Sequence, residues 1–263
     1  MCRIIVASGN IEVTKILESI TLMAQDKNTI HELNKQDCGN WQHTDGWGIT
    51  YIDQKGNFII KKSPQAVFED PELLELRQLT TNFMIAHVRK KVGSETSLEN
   101  THPFRTQHPL LGECIFCHNG FIKENINFDS TTYTTRGETD SERLFYSILS
   151  EIAENNHRNI VSTIRKNLQR YTKTRGSNIV LATKEKTYVA MRKNELPQYF
   201  GMMLGQGKDF MIISSEKLKT YPDISWISIL PEEVVTIQNG TTSFSISKEN
   251  KSFLQKIIKI IQE

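Results

Sequence analysis

The sequence predicts a layered α+β fold with mainly antiparallel sheets, on three observations. Strand-like runs stand on both sides of a central helical block. Several are joined by connections short enough for hairpins, which pair strands antiparallel. No internal repeat, low-complexity tract or Pro/Gly/Ser-rich linker interrupts the 263 residues, so residues 1–263 are expected to form a single domain.

The first strand is "RIIVA", directly after Met1 and Cys2. Val13, Ile16, Leu17, Ile20, Met23 and Ala24 then recur at spacings of three and four, the apolar stripe of an amphipathic helix. "WGITYID" and "NFIIKK", separated by Gln54 to Gly56, read as a β-hairpin. "NFMIAHV" and "ECIFCHN" are two further strands, and the polar stretch between them, Arg89 to Gly112, is expected to be a long functional loop.

The helical block begins at "TDSERLFYSILSEI", where Thr139 and Glu142 have capping-box spacing ahead of Leu144, Phe145, Ile148, Leu149 and Ile152. A second helix passes through Val161, Ile164 and Leu168. Strands return with "NIVLAT", "KTYVAMR", "DFMIIS", "WISIL", "EVVTIQ" and "TSFSI", and Asn239-Gly240 is a hairpin turn signal. Phe253, Leu254, Ile257, Ile258 and Ile261 predict a closing amphipathic helix.

Composition narrows the function classes. With 38% hydrophobic and 24% charged residues the chain has the make-up of an ordinary globular protein. A net charge of +2, with Lys61-Lys62 and Lys90-Lys91 as the basic doublets of note, argues against a nucleic-acid footprint. No apolar run reaches the roughly 18 residues of a membrane span, and no signal-peptide pattern opens the chain, so no membrane partner and a cytoplasmic location are expected. Four cysteines, Cys2, Cys38, Cys114 and Cys117, are too few for a disulfide scaffold and fit a reducing compartment.

Four features can carry chemistry. Methionine is normally trimmed ahead of a small residue, and Cys2 would then hold a thiol and a free α-amine, a nucleophile and a base in one residue. The bland alternative is a small buried hydrophobe. "HNG", His118 to Gly120, can present a side-chain amide and a backbone N–H to an oxyanion, or be a strand-ending turn. Arg89, following a strand, can grip a carboxylate in bidentate fashion. Asp140 can pair with an ammonium, or act as a first-turn acid favoured by the helix dipole.

His87 alternates with Val88 as a core histidine would, and His102 precedes Pro103 in a loop. The seven histidines show no metal-ligand spacing, so neither a metal nor another cofactor is expected. Cys114 and Cys117 stand three apart in a strand and should face opposite sides, which argues against a redox or metal pair.

Taken in order, Cys2 after Met1, "HTDGWGI" (His43 to Ile49), "AHVR" (Ala86 to Arg89), "NTHPF" (Asn100 to Phe104), "HNG" and "TDSE" (Thr139 to Glu142) resemble the class II glutamine amidotransferases, a group of N-terminal-nucleophile hydrolases. The later "FMIISSEKL" and "WISILPEEVVTI" are similar to the C-terminal part of stand-alone members. The resemblance implies a four-layer αββα sandwich. It implies that Cys2 attacks the glutamine side-chain amide with its own α-amine as base, and that Asn119 and the Gly120 N–H stabilise the oxyanion. Arg89 would bind the α-carboxylate and Asp140 the α-ammonium, with His43, Asp45, Trp47, His102 and His118 shaping the site.

Many relatives carry R-x-A-T-x-G after the strand, whereas this chain has "RKKVG", Arg89 to Gly93, shorter by one residue and lacking the hydroxyl. Val92 and Gly93 therefore stay outside the expected site. No stretch is expected to remain for an ammonia-consuming synthase, so either a separate acceptor enzyme receives the ammonia or the chain acts alone. The same machinery would also serve hydrolysis of another γ-glutamyl amide, and a binding or regulatory module without turnover is a third reading.

Overall fold

Strand β1 (Cys2–Gly9) is buried along its whole length, which is why it reads as a near-continuous apolar run. Its residues alternate between two cores: Ile5 and Ala7 face helix α1 (Val13–Ala24), while Ile4 and Val6 face a second sheet. The computed structural model describes residues 1–36, 40–155 and 159–248. The closing helix expected over Phe253 to Ile261, and Cys38, lie outside the described residues.

After the short α2 (Glu32–Gln36), the predicted hairpin forms from β2 (Trp47–Ile52) and β3 (Phe58–Ser63). A short helix α3 (Glu72–Glu75) leads to β4 (Phe83–Arg89), which lies between β1 and β2. The stretch expected to be one long loop contains a strand, β5 (Phe104–His108), paired with β6 (Gly112–Ile122). Its sequence hides it: Phe104 and His108 are buried while Arg105 and Gln107 are exposed, the pattern of a polar edge strand.

Helices α4 (Asp140–Glu154) and α5 (Ile160–Arg170) follow, then β7 (Thr174–Ala182) and β8 (Lys186–Met191). Half of the predicted capping box forms: Thr139 accepts from the Glu142 N–H, but the Glu142 carboxylate turns to the N–H groups of Arg136 and Gly137 instead. Strand β9 (Met202–Gln206), absent from the sequence reading, is short and carries Gly205 in its middle. A Cβ at Gly205 would lie 2.8 Å from the Trp226 ring. The described residues end in β10 (Phe210–Ser214), β11 (Ser225–Ile229), β12 (Val234–Gln238) and β13 (Phe244–Ser247), with Gly240 at positive φ in the β12–β13 hairpin turn.

The strands form two antiparallel sheets, ordered β11-β9-β10-β1-β4-β2-β3 and β13-β12-β8-β7-β6-β5. Ile4, Val6, Ile85 and Ile213 of the first pack against Cys117, Val180, Val189 and Val235 of the second. Helix α1 covers the outer face of the first sheet, and α4 with α5 covers that of the second. The result is the α–β–β–α layering that the family resemblance implies. Cys114 and Cys117 fall into different cores, on opposite faces of β6, as their spacing requires.

Candidate functional site

Cys2 stands at the start of β1, paired in register with Arg89 at the end of β4. In this pleat Cys2, Ile4, His87 and Arg89 share the face that looks toward the second sheet. Across that space the Cys2 N–H donates to Asn119 Oδ1 on β6 at 2.7 Å, tying the two sheets together. The other end of the same side chain, Asn119 Nδ2, is buried without a partner.

"HNG" is therefore not a strand-ending turn, since β6 runs on to Ile122. The pairing register of β6 with β7 shifts between Asn119 and Gly120, and Gly176 opposite has φ of +70°. Such a bulge re-aims the neighbouring groups. Gly120 is required by crowding: a Cβ there would lie 2.6 Å from His118 Nε2 and 2.9 Å from Ser177 Cα. His118 is held by two buried hydroxyls, Ser141 Oγ at 2.9 Å and Ser177 Oγ at 3.1 Å.

Arg89 is buried, with Nη2 donating to Ser94 Oγ at 2.6 Å and Nη1 to the Asp45 carbonyl at 3.3 Å. Asp45 in turn accepts from the Lys91 N–H and Thr96 Oγ1, so "HTDGWGI" fastens the loop that follows Arg89. Asp140, at the start of α4, accepts from the Ile122 N–H at 2.8 Å, and burial raises its pKa to about 6. It lines a cavity of about 490 Å³ with Val92, Gly93 and Ser94. Val92 and Gly93, left out of the expected site, thus face the same cavity as Asp140.

The remaining candidates divide. His43 is buried with Nε2 3.0 Å from the Tyr199 hydroxyl, and Trp47 is a core residue whose indole donates to Asp70. His102 packs against His87 with ring centroids 4.2 Å apart and against Phe104 at 4.5 Å, both pairs tilted. Both of its ring nitrogens, and Nδ1 of His87, lack partners. Burial lowers the pKa of His87 and of His118 to about 3, and those of His43 and His102 well below the usual imidazole value, so the rings around Cys2 are neutral at physiological pH.

One atom each of Cys2, His87 and His102 lie within 4.8 Å of one another, so these three, drawn from separate elements, could hold a metal ion. Linear spacing could not anticipate this. Gly48 permits it: the loop at His102 runs so close to β2 that a Cβ on Gly48 would meet the His102 carbonyl at 2.0 Å.

Sequence reasoning missed Tyr199 and Arg3, which pack beside the Cys2 backbone. Tyr199 is fully buried, its hydroxyl 3.4 Å from the Cys2 carbonyl, and Arg3 lies over its ring at 4.0 Å while donating to its carbonyl. Tyr199 stands alone in "PQYFG", with no periodic or charged neighbour to mark it.

The family model for glutamine amidotransferases class-II matches residues 29–200. The chain belongs to that family. "Putative glutamine amidotransferase YafJ" of Escherichia coli (strain K12) is 30% identical over 223 residues, covering 83% of this chain and 74% of its own length. A protein of the same general name from Haemophilus influenzae is 32% identical over 106 residues, 39% of this chain and 35% of that one. Among solved structures, the glutamine phosphoribosylpyrophosphate amidotransferase of B. subtilis superposes with a TM-score of 0.66 at 17% identity, covering 95% of this chain. This chain spans half the length of that enzyme. A glutamine aminotransferase class-II domain protein from Silicibacter pomeroyi gives 0.58 at 15% identity, with 94% of this chain and 99% of that one covered. The fold is thus the α+β sandwich of the N-terminal-nucleophile amidotransferases. Among the described residues no helix is long and apolar enough to cross a membrane.

Proposed function

We propose that this class II amidotransferase hydrolyses the side-chain amide of L-glutamine through a Cys2 thioester, giving glutamate and ammonia, with residues 1–263 working as one domain. The observation that carries the reading is the split use of Asn119: its oxygen takes the Cys2 N–H and its buried amide nitrogen is unpartnered beside the thiol-bearing residue. Once Met1 is removed, the Cys2 nitrogen becomes a free α-amine oriented by Asn119 Oδ1. That amine takes the thiol proton, directly or through a water, as Sγ attacks the amide carbon.

Asn119 Nδ2 and the Gly120 N–H receive the developing oxyanion. Arg89 and Asp140 hold the α-carboxylate and α-ammonium, which fixes the zwitterion so that its one amide meets the thiol. The α-amine passes its proton to the departing ammonia, and water then releases glutamate from the thioester. The test is intact mass together with glutamate release from L-glutamine, for wild type and Cys2→Ala. Loss of Met1 with turnover that vanishes in Cys2→Ala supports the reading. A processed wild type that hydrolyses neither glutamine nor any γ-glutamyl amide overturns it.

A further inference from the structure

Met1 occupies a built slot. Its side chain is buried against Leu33, Tyr199 and Phe200, with Trp41 and Leu196 half-buried at the edge. Its backbone continues β1 past Cys2, accepting from the Lys90 N–H at 2.8 Å and donating to the Lys90 carbonyl. Met1, Leu196 and Phe200 also form part of the wall of a cavity of about 790 Å³. Five cations, Lys123, Lys173, Arg175, Arg192 and Lys193, line that cavity against the single carboxylate of Glu195.

We infer that the slot filled by the Met1 side chain, opening into this basic cavity, is a subsite for the leaving amine, and that the enzyme hydrolyses γ-glutamyl dipeptides whose second residue is apolar. This rests on the N-terminal Cys2 reading given above. The argument is one of position. An α-amine that serves as base must return its proton to the departing nitrogen, so that nitrogen sits within hydrogen-bond reach, about 2.6–3.2 Å, of the Cys2 nitrogen. The Met1 backbone is bonded to that same nitrogen, so substituents on a leaving amine enter the space Met1 fills.

Ammonia has no substituents and makes no use of an aromatic slot the size of a methionine side chain. An α-amino acid uses all of it. Its apolar side chain replaces that of Met1 between Tyr199 and Phe200, and its carboxylate turns to the cationic wall. The chemistry balances as simple hydrolysis. The γ-amide C–N bond breaks as the Cys2 S–C bond forms, the amine leaves with the proton taken from the thiol, and water cleaves the thioester to glutamate and restores the thiol.

The test uses the full chain produced with Cys2 as its first residue and compares kcat/KM for L-glutamine, γ-Glu-Gly, γ-Glu-Met and γ-Glu-methioninamide. The slot predicts γ-Glu-Met over γ-Glu-Gly by about tenfold or more. The basic wall predicts γ-Glu-Met over its carboxamide. The double variant Arg175→Glu with Lys193→Glu, at two exposed positions, should lower the rate with γ-Glu-Met several-fold more than that with glutamine. Leu196→Ser provides an independent probe of the slot and should narrow the preference for γ-Glu-Met over γ-Glu-Gly. Turnover of glutamine with γ-Glu-Met no better than γ-Glu-Gly overturns the subsite and leaves the glutaminase reading standing. No turnover of any of the four substrates overturns both.

Discussion

The Cys2 N–H donates to Asn119 Oδ1 at 2.7 Å, across the space between the two sheets. This bond fixes the Asn119 side-chain plane, so its Nδ2 is aimed before any substrate arrives. A donor that needs no reorganisation is worth most in the transition state, when charge gathers on the amide oxygen. Asn119→Ala should therefore lower kcat for glutamine by about 10²–10³-fold with little change in KM. Steady-state kinetics decide it, and an equal loss through KM alone would assign Asn119 to ground-state binding.

Asp140 gives a pH signature. Burial raises its pKa to about 6, outweighing the Ile122 N–H that favours the carboxylate. Above that value the group is ionised and attracts the substrate ammonium; as pH falls through it, the charge is neutralised and the attraction is lost. kcat/KM should thus fall below about pH 6, approaching tenfold per unit, chiefly through KM. Asp140→Asn should raise KM by about 10- to 100-fold at neutral pH and remove that acid limb. A profile unchanged in Asp140→Asn would assign the limb to another group.

Gly48 is where the fold accommodates the site loop. A Cβ at this position would lie 2.0 Å from the His102 carbonyl and 2.7 Å from Pro103 Cδ, with backbone rather than a flexible tip to be moved. The loop itself is pinned, since Lys62 Nζ donates to the Thr101 carbonyl at 2.9 Å and Thr101 Oγ1 to that of Ser97 at 2.6 Å. Gly48→Ala should destabilise the protein by about 1–3 kcal/mol, read by urea denaturation, through this overpacking. An unchanged midpoint would mean that the loop yields freely.

How far the sequence carries depends on the range of the interactions. α1 and α4 were legible because burial of one helical face is a local, periodic constraint, as Ile16, Leu17 and Ile20 illustrate. β5 was hidden because only Phe104 and His108 of its residues are buried, and β9 because Gly205 breaks a short run. Cys2, Arg89, Asn119 and Asp140 could be picked out by residue type and order, but their grouping required strand register. Tyr199 lies 197 positions from Cys2 in the chain and meets it only through folding. The same holds for His87 and His102 beside Cys2, which linear spacing presented as a core residue and a loop residue.

The thiols provide the last test. Cys114 and Cys117 lie fully buried in two different cores, and burial pushes the Cys114 thiol up to about 12 and that of Cys117 higher still. Thiolate is the reactive form, so both are inert toward alkylation in the folded state. Cys2 is also buried, but it adjoins Met1, which lines the basic cavity. Iodoacetamide at neutral pH, applied to protein lacking Met1, should label the peptide containing Cys2 and abolish glutamine hydrolysis in step with that labelling. Cys114 and Cys117 should gain label only after unfolding in denaturant. Labelling of either at the rate of Cys2, followed by peptide mapping, would show that the cores open on the timescale of the reaction and would separate loss of activity from modification of Cys2.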